Sequence, residues 1–228
     1  EDYITCVQDL LSKGESTYDG RPQRVRWQSE VVRGHIPITL CAEGPQTLHL
    51  GGRVCDGVIA GTGVLPEVIA DTIARVRAGA ESENRNPDDV EVWFTTRSSL
   101  DEDRDKAIRG IHASVSSILN HSMRFGLDNK NVPTQFRNKI QEYVEGYELY
   151  DHVLEGGRNP RRMADLGLTD YALERYALAG DPNDWIERIG AMADAGATNL
   201  WISVERGDIE RQIHYMKLFG EEILPKFQ

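Results

Sequence analysis

Two short runs in this sequence have residue types suited to holding a phosphate on backbone amides. One is Cys41-Ala42-Glu43-Gly44-Pro45; the other is Gly61-Thr62-Gly63. Glycine lets a backbone approach an anion closely, because no Cβ stands in the way. Each run precedes a helical pattern, and the N–H groups at a helix start point outward and favour negative charge. Thr62 adds a hydroxyl donor. Side by side, the two runs would form one cradle. The same residues also suit plain strand-to-helix turns, which favour Gly and Pro for their own reasons. Neither Walker-type nor dinucleotide-binding glycine spacing is present.

The other chemistry-bearing side chains have plainer readings. His35 precedes a strand and reads as a loop residue. His112 and His121 lie on an expected helix and read as solvated or packed. Cys41 sits near a strand end, where it could face a cofactor; a buried structural thiol is the simpler reading. Asp56 before Gly57 suits a turn closed by side-chain–backbone bonding. Trp185 and Trp201 read as core. His152, with Tyr147, Tyr150 and Arg158, falls in an irregular stretch of the kind that often covers a site. Cys6, Cys41 and Cys55 have no metal-type spacing and are odd in number, so neither a metal site nor a disulfide framework is expected. No residue spacing singles out a catalytic base.

The elements that must position these residues follow from hydrophobic periodicity. Tyr3, Ile4, Val7, Leu10 and Leu11 recur at helical spacing, with Gly14 as a stop. Tyr18-Asp19-Gly20-Arg21-Pro22 reads as a turn, followed by a hairpin arm at Val25 and Trp27. Ile36–Ala42 is a short apolar run of the kind buried on both faces of a parallel sheet. A helix is expected over 46–54, a strand over 57–60, and a helix opening at Pro66. A third strand is expected over 90–95. A helix should start at the acidic Asp101-Glu102-Asp103 and run to about Phe125. Residues 126–180 break the rhythm and read as an insertion of helices and loops. The pattern resumes with a helix from Asp181-Pro182, a strand over 199–204 and a helix over 208–224. Alternating strands and helices specify a parallel α/β architecture. Four strands are too few to close a barrel, so the choice is an open sheet or about half a barrel.

With 37 acidic and 26 basic residues, the chain of 228 carries a formal charge of −11. That argues against nucleic-acid or anionic-membrane binding, since both need clustered cations. No apolar run approaches the roughly 18 residues that span a bilayer, and no secretory signal pattern stands at the start. A cytoplasmic location is the default expectation.

Taken in order, the motifs resemble the carboxyl-terminal half of the luciferase-like monooxygenase superfamily. Ala42-Glu43-Gly44-Pro45 is similar to its AxGP strand end. Gly51-Gly52 is similar to its AG near the helix end, and Cys55-Asp56-Gly57 to its ADG element. Gly61-Thr62-Gly63 stands at its Gly/Ser/Thr turn. Ala179-Gly180-Asp181-Pro182 through Ala195-Gly196-Ala197 resembles the helix and AG turn before its last strand. The opening helix with Tyr18-Asp19-Gly20 resembles a mid-chain segment. The likeness covers most of the chain outside residues 100–178.

The resemblance implies a (β/α)₈ TIM-type barrel, of which this chain supplies about the second half plus the insertion at 126–180, as a single domain over 1–228. It implies FMN, or the related deazaflavin coenzyme, at the carboxyl ends of the strands. Ala42, Glu43, Gly44, Gly61, Thr62 and Gly63 would hold the cofactor phosphate. Glu43 departs from the small residue common there. A carboxylate beside a phosphate is unfavourable, so Glu43 is expected to offer its backbone N–H or to turn its carboxylate toward substrate. Members of the family are longer than this chain. An amino-terminal portion with the first strands and the usual catalytic residues is therefore expected to be missing.

The leading expectation is a monooxygenase using reduced FMN and oxygen on a small organic molecule, with a flavin reductase as candidate partner. A deazaflavin-dependent hydride-transfer enzyme is the alternative. Residues 61–74 hold no Lys or Arg, which favours FMN over a coenzyme with a polyanionic tail. A non-catalytic flavin-binding or scaffold subunit is the third reading. An exposed half-barrel edge invites association, so a homo-oligomer or a further segment is expected.

Overall fold

A computed structural model describes residues 1–26, 35–203 and 209–227. The chain opens with a helix, Asp2–Lys13 (α1), closed by Gly14 in a left-handed conformation. A hairpin follows, pairing Glu15–Tyr18 (β1) with Arg21–Arg24 (β2). The turn read at Tyr18–Pro22 is its tip. Its arms were not legible, because seven of these eight strand residues are polar, charged or Pro. Trp27 lies outside the described residues.

The main sheet is parallel throughout. It contains Thr39–Ala42 (β3), Gly57–Ala60 (β4), Glu91–Leu100 (β5), Ala177–Gly180 (β6) and Asn199–Ser203 (β7). Helices Pro45–Val54 (α2) and Pro66–Ser82 (α3) follow β3 and β4. Pro182–Asp194 (α9) precedes β7, and Ile209–Leu218 (α10) comes after it. Parallel strands with helices between them make this chain a partial (β/α) barrel of the TIM type.

Strand β5 organises the sheet. It pairs β4 through residues 91–94, β7 through 93–97 and β6 through 97–100. β7 overlaps both of the others, so it takes one edge alone, and β4 and β6 share the other in succession. The expected strand at 90–95 therefore stops short. Its polar continuation, Thr95-Thr96-Arg97-Ser98-Ser99, carries no apolar signal and is held by pairing on both edges.

The structure corrects two further expectations. The helix expected from 101 to about 125 is two helices, Arg104–Arg109 (α4) and His112–Met123 (α5), interrupted at Gly110-Ile111. The segment 126–180 holds helices Thr134–Glu145 (α6), Arg158–Asp165 (α7) and Thr169–Tyr176 (α8), but it ends in strand β6. Four residues, Ala-Leu-Ala-Gly, are too few for a periodic signal. The Val204 end of the last strand and the Asp208 start of the last helix lie outside the described residues.

Apolar burial forms two clusters. One joins the sheet to α2, α3 and α9 around Ile69, Phe94, Leu178 and Trp185. The other joins α5 to α6, α7 and α8 around Leu119, Ile140, Tyr143 and Met163. Among the described residues no helix is long and apolar enough to cross a membrane.

Candidate cofactor cleft

The two glycine-containing runs stand side by side. Ala42 ends β3 and is buried, and Gly61, just after β4, donates its N–H to the Ala42 carbonyl at 3.1 Å. That bond continues the sheet ladder and occupies the Gly61 amide. The Thr62 hydroxyl lies 3.0 Å from that of Thr72 and is buried, so it faces the protein. Gly63 has φ +112°, and a Cβ there would lie 2.7 Å from both the Cγ and the carbonyl oxygen of Arg175. This turn is thus held from behind by the protein.

The first run opens outward. Gly44 starts α2, and the Thr47 hydroxyl closes on it, donating to the Gly44 carbonyl at 2.9 Å and accepting from its N–H at 3.2 Å. Pro45 has no N–H. The Gln46 and Thr47 amides are first-turn donors without intrahelical partners. The Glu43 carboxylate is engaged by the Ser122 hydroxyl at 2.9 Å and lies 3.4 Å from His121 Nε2.

A cleft of about 920 Å³ spreads over these strand ends, lined by Cys41–Thr47, Gly61, Thr95, His121, Lys130, Trp201 and Ser203. Cys41 and Trp201 are exposed here, Trp201 at 52%. The buried readings of both fail for one reason: in a partial barrel, strand residues facing the barrel interior face open space. Trp185, on a helix against the sheet, is fully buried as expected.

Cations reach the cradle from far along the chain. Arg175 is 2% exposed and donates to the carbonyls of Thr62 (3.2 Å), Asn131 (3.1 Å) and Lys130 (2.7 Å) and to the Tyr171 hydroxyl (2.9 Å). Lys130 donates to the Ser122 carbonyl at 2.5 Å. Burial holds its ammonium below the usual lysine pKa, with Arg175 pushing the same way and Glu43 opposing. Arg75 and Lys130 line a small recess behind Thr62, where Arg75 pairs with Asp71 at 2.7 Å. The lack of cations in 61–74 therefore says little about the coenzyme. Spacing could not reveal Lys130, Arg175 or Ser122, because only the fold brings them here.

His152 also reaches the cleft region. Its Nδ1 lies 2.8 Å from the Tyr147 hydroxyl and its Nε2 3.3 Å from Ser117. Tyr150 is almost fully exposed, and Arg158 pairs with Asp151 at 2.9 Å. His35 is a loop residue, 2.7 Å from Asp56, which also accepts the Ile38 N–H at 2.7 Å. Among the described residues no cluster of His, Cys, Asp or Glu could hold a metal.

The sequence model of the luciferase-like monooxygenase family matches residues 1–199. This chain belongs to that family. It is 28% identical to the 5,10-methylenetetrahydromethanopterin reductase of Methanopyrus kandleri over 97% of this chain and 60% of that protein. It is 25% identical to the F420-dependent glucose-6-phosphate dehydrogenase of Nakamurella multipartita over 99% of this chain and 58% of that one. The solved coenzyme F420 dependent tetrahydromethanopterin reductase from Methanopyrus kandleri shares the fold, with a TM-score of 0.69 at 24% identity, covering 98% of this chain and 61% of that one. The chain thus spans about 60% of the length of the relatives it matches.

Proposed function

We propose that this chain forms part of a deazaflavin-dependent oxidoreductase that transfers hydride between coenzyme F420 and a small organic molecule. The observation that carries this reading is the match, over 99% of the chain, to an F420-dependent dehydrogenase. It takes precedence over the reduced-FMN and oxygen expectation, whose residue-level support was the absence of nearby cations. A flavin reductase partner belonged to that expectation and is not carried forward.

The residues fit such a coenzyme. The cleft is of the size that holds cofactors. Gly44 presents a helix start with no Cβ, and Lys130 stands on the same wall. Ala42, Glu43 and Gly44, with the Gln46 and Thr47 amides, would hold its phosphate. Glu43 would act through its backbone, because Ser122 and His121 engage its carboxylate. Gly61, Thr62 and Gly63 would shape the floor, kept in place by Arg175. Trp201 and the 121–130 segment would shield the cleft from water. When bound, the deazaflavin supplies a two-electron hydride carrier.

Fluorescence titration of the purified chain with F420 and with FMN tests the reading. The expected result is saturable binding of F420, tighter than that of FMN by about tenfold, or 1.4 kcal/mol. Tighter binding of FMN, or no binding of F420, overturns it.

A further inference from the structure

Beside the main cleft lies a second compartment of about 260 Å³. Thr95 and Arg97 of β5 form one wall. Ser117 and His121 of α5, His152, and Tyr176 at the end of α8 form the others. Strand alternation explains the first wall. Phe94, Thr96 and Ser98 are buried on one face of β5, which leaves Thr95 and Arg97 on the face toward the compartment.

Two polar groups here lack partners. The Arg97 residue is half-buried, and its side chain makes no hydrogen bond or ion pair among the described residues, in a chain with 37 carboxylates. The Tyr176 hydroxyl, in a residue 2% exposed, lies beside Ser122 and the Arg175 guanidinium without closing a hydrogen bond to either. A partly desolvated guanidinium is costly to leave unpaired. Among the described residues Glu43 is the one carboxylate lining the compartment, and Ser122 and His121 already engage it. The His152 ring is fixed by Tyr147 on one side and Ser117 on the other.

We infer that this compartment is a subsite for an anionic group of the substrate, a carboxylate or a phosphate, gripped by the Arg97 guanidinium, with His121, His152 and the Tyr176 hydroxyl around it. A planar fork of N–H donors matches two oxygens of such a group. A neutral molecule would leave the guanidinium unpaired, so the subsite selects against it. The assignment to substrate rests on the hydride-transfer reading; anion binding itself does not need the coenzyme.

The test is calorimetric titration of the full chain, without coenzyme, with sodium butanoate, inorganic phosphate and 1-butanol, alongside the imidazole NMR signals of His121 and His152. One or both anions should bind and shift both histidines, while butanol does neither. Which anion binds tighter identifies the group. Arg97→Gln should weaken anion binding by about tenfold or more, as loss of a charge-assisted hydrogen bond predicts, and Arg97→Lys should restore part of it. F420 affinity should stay the same in Arg97→Gln, which also shows that the variant is folded. No anion binding to the parent chain, or equal binding to parent and Arg97→Gln, overturns the subsite. An equal loss of F420 affinity assigns Arg97 to the coenzyme and overturns the proposal. If F420 binds nowhere while Arg97 still governs anion binding, the hydride-transfer reading fails and the subsite stands.

Discussion

The guanidinium of Arg175 bonds four oxygens from three stretches of chain: the turn at Thr62, the loop at Lys130 and Asn131, and its own helix at Tyr171. It joins the floor of the cleft to the helical segment above it. Gly63 is where this joint tolerates least, because it combines φ +112° with direct contact against Arg175. Gly63→Ala should therefore lower stability by about 1–3 kcal/mol through backbone strain and weaken F420 binding as the turn shifts. Urea unfolding of parent and variant reads the first effect, and a coincident midpoint refutes it. Gly63 was legible in the sequence as a glycine at a strand end. Its reason was not, since the residue it must avoid lies more than a hundred positions away.

At the level of elements, α2 and α3 approach closely enough that their backbones meet. A Cβ on Gly52 would lie 1.9 Å from the Val76 carbonyl oxygen, and one on Gly79 would lie 2.0 Å from that of His49. The contact is reciprocal and backbone-limited, so side chains cannot yield to relieve it. Gly52→Ala should cost about 1–3 kcal/mol, the range for overpacking. Gly190, inside α9 with open space around its Cβ position, provides the contrast: Gly190→Ala should stabilise by about 0.5–1 kcal/mol. Thermal melts of both variants check the opposite signs. Equal signs would mean that helix propensity, not contact, governs Gly52. The sequence shows Gly51-Gly52 as a motif near a helix end. The structure shows Gly52 and Gly79 as two halves of one contact.

For the whole molecule, the sheet cluster and the helical cluster meet around the cleft, where Arg175, Lys130 and Glu43–Ser122 link them. A ligand seated there touches both and should stabilise them together. F420 at a hundredfold excess over its Kd should add about 2.7 kcal/mol, or raise Tm by about 5–10 °C for a chain of this size. Differential scanning calorimetry checks this. No shift at saturation would show that F420 does not bind the native chain in preference to the unfolded one.

The sequence by itself determined the ends of β3 and β4, the starts of α2, α3 and α9 and the parallel order, because apolar periodicity, Gly and Pro record local backbone choices and burial. It also determined the family, because the motifs keep their order along the chain. The tertiary structure alone decided which charges face the strand ends. Arg175 reaches Thr62 across 113 residues, and Ser122 reaches Glu43 across 79. It also decided that the polar run 95–99 is a strand, since its stability comes from partners on both edges. Cys41 and Trp201 face open space for the same kind of reason: burial depends on what stands opposite a strand, and nothing within the strand records that.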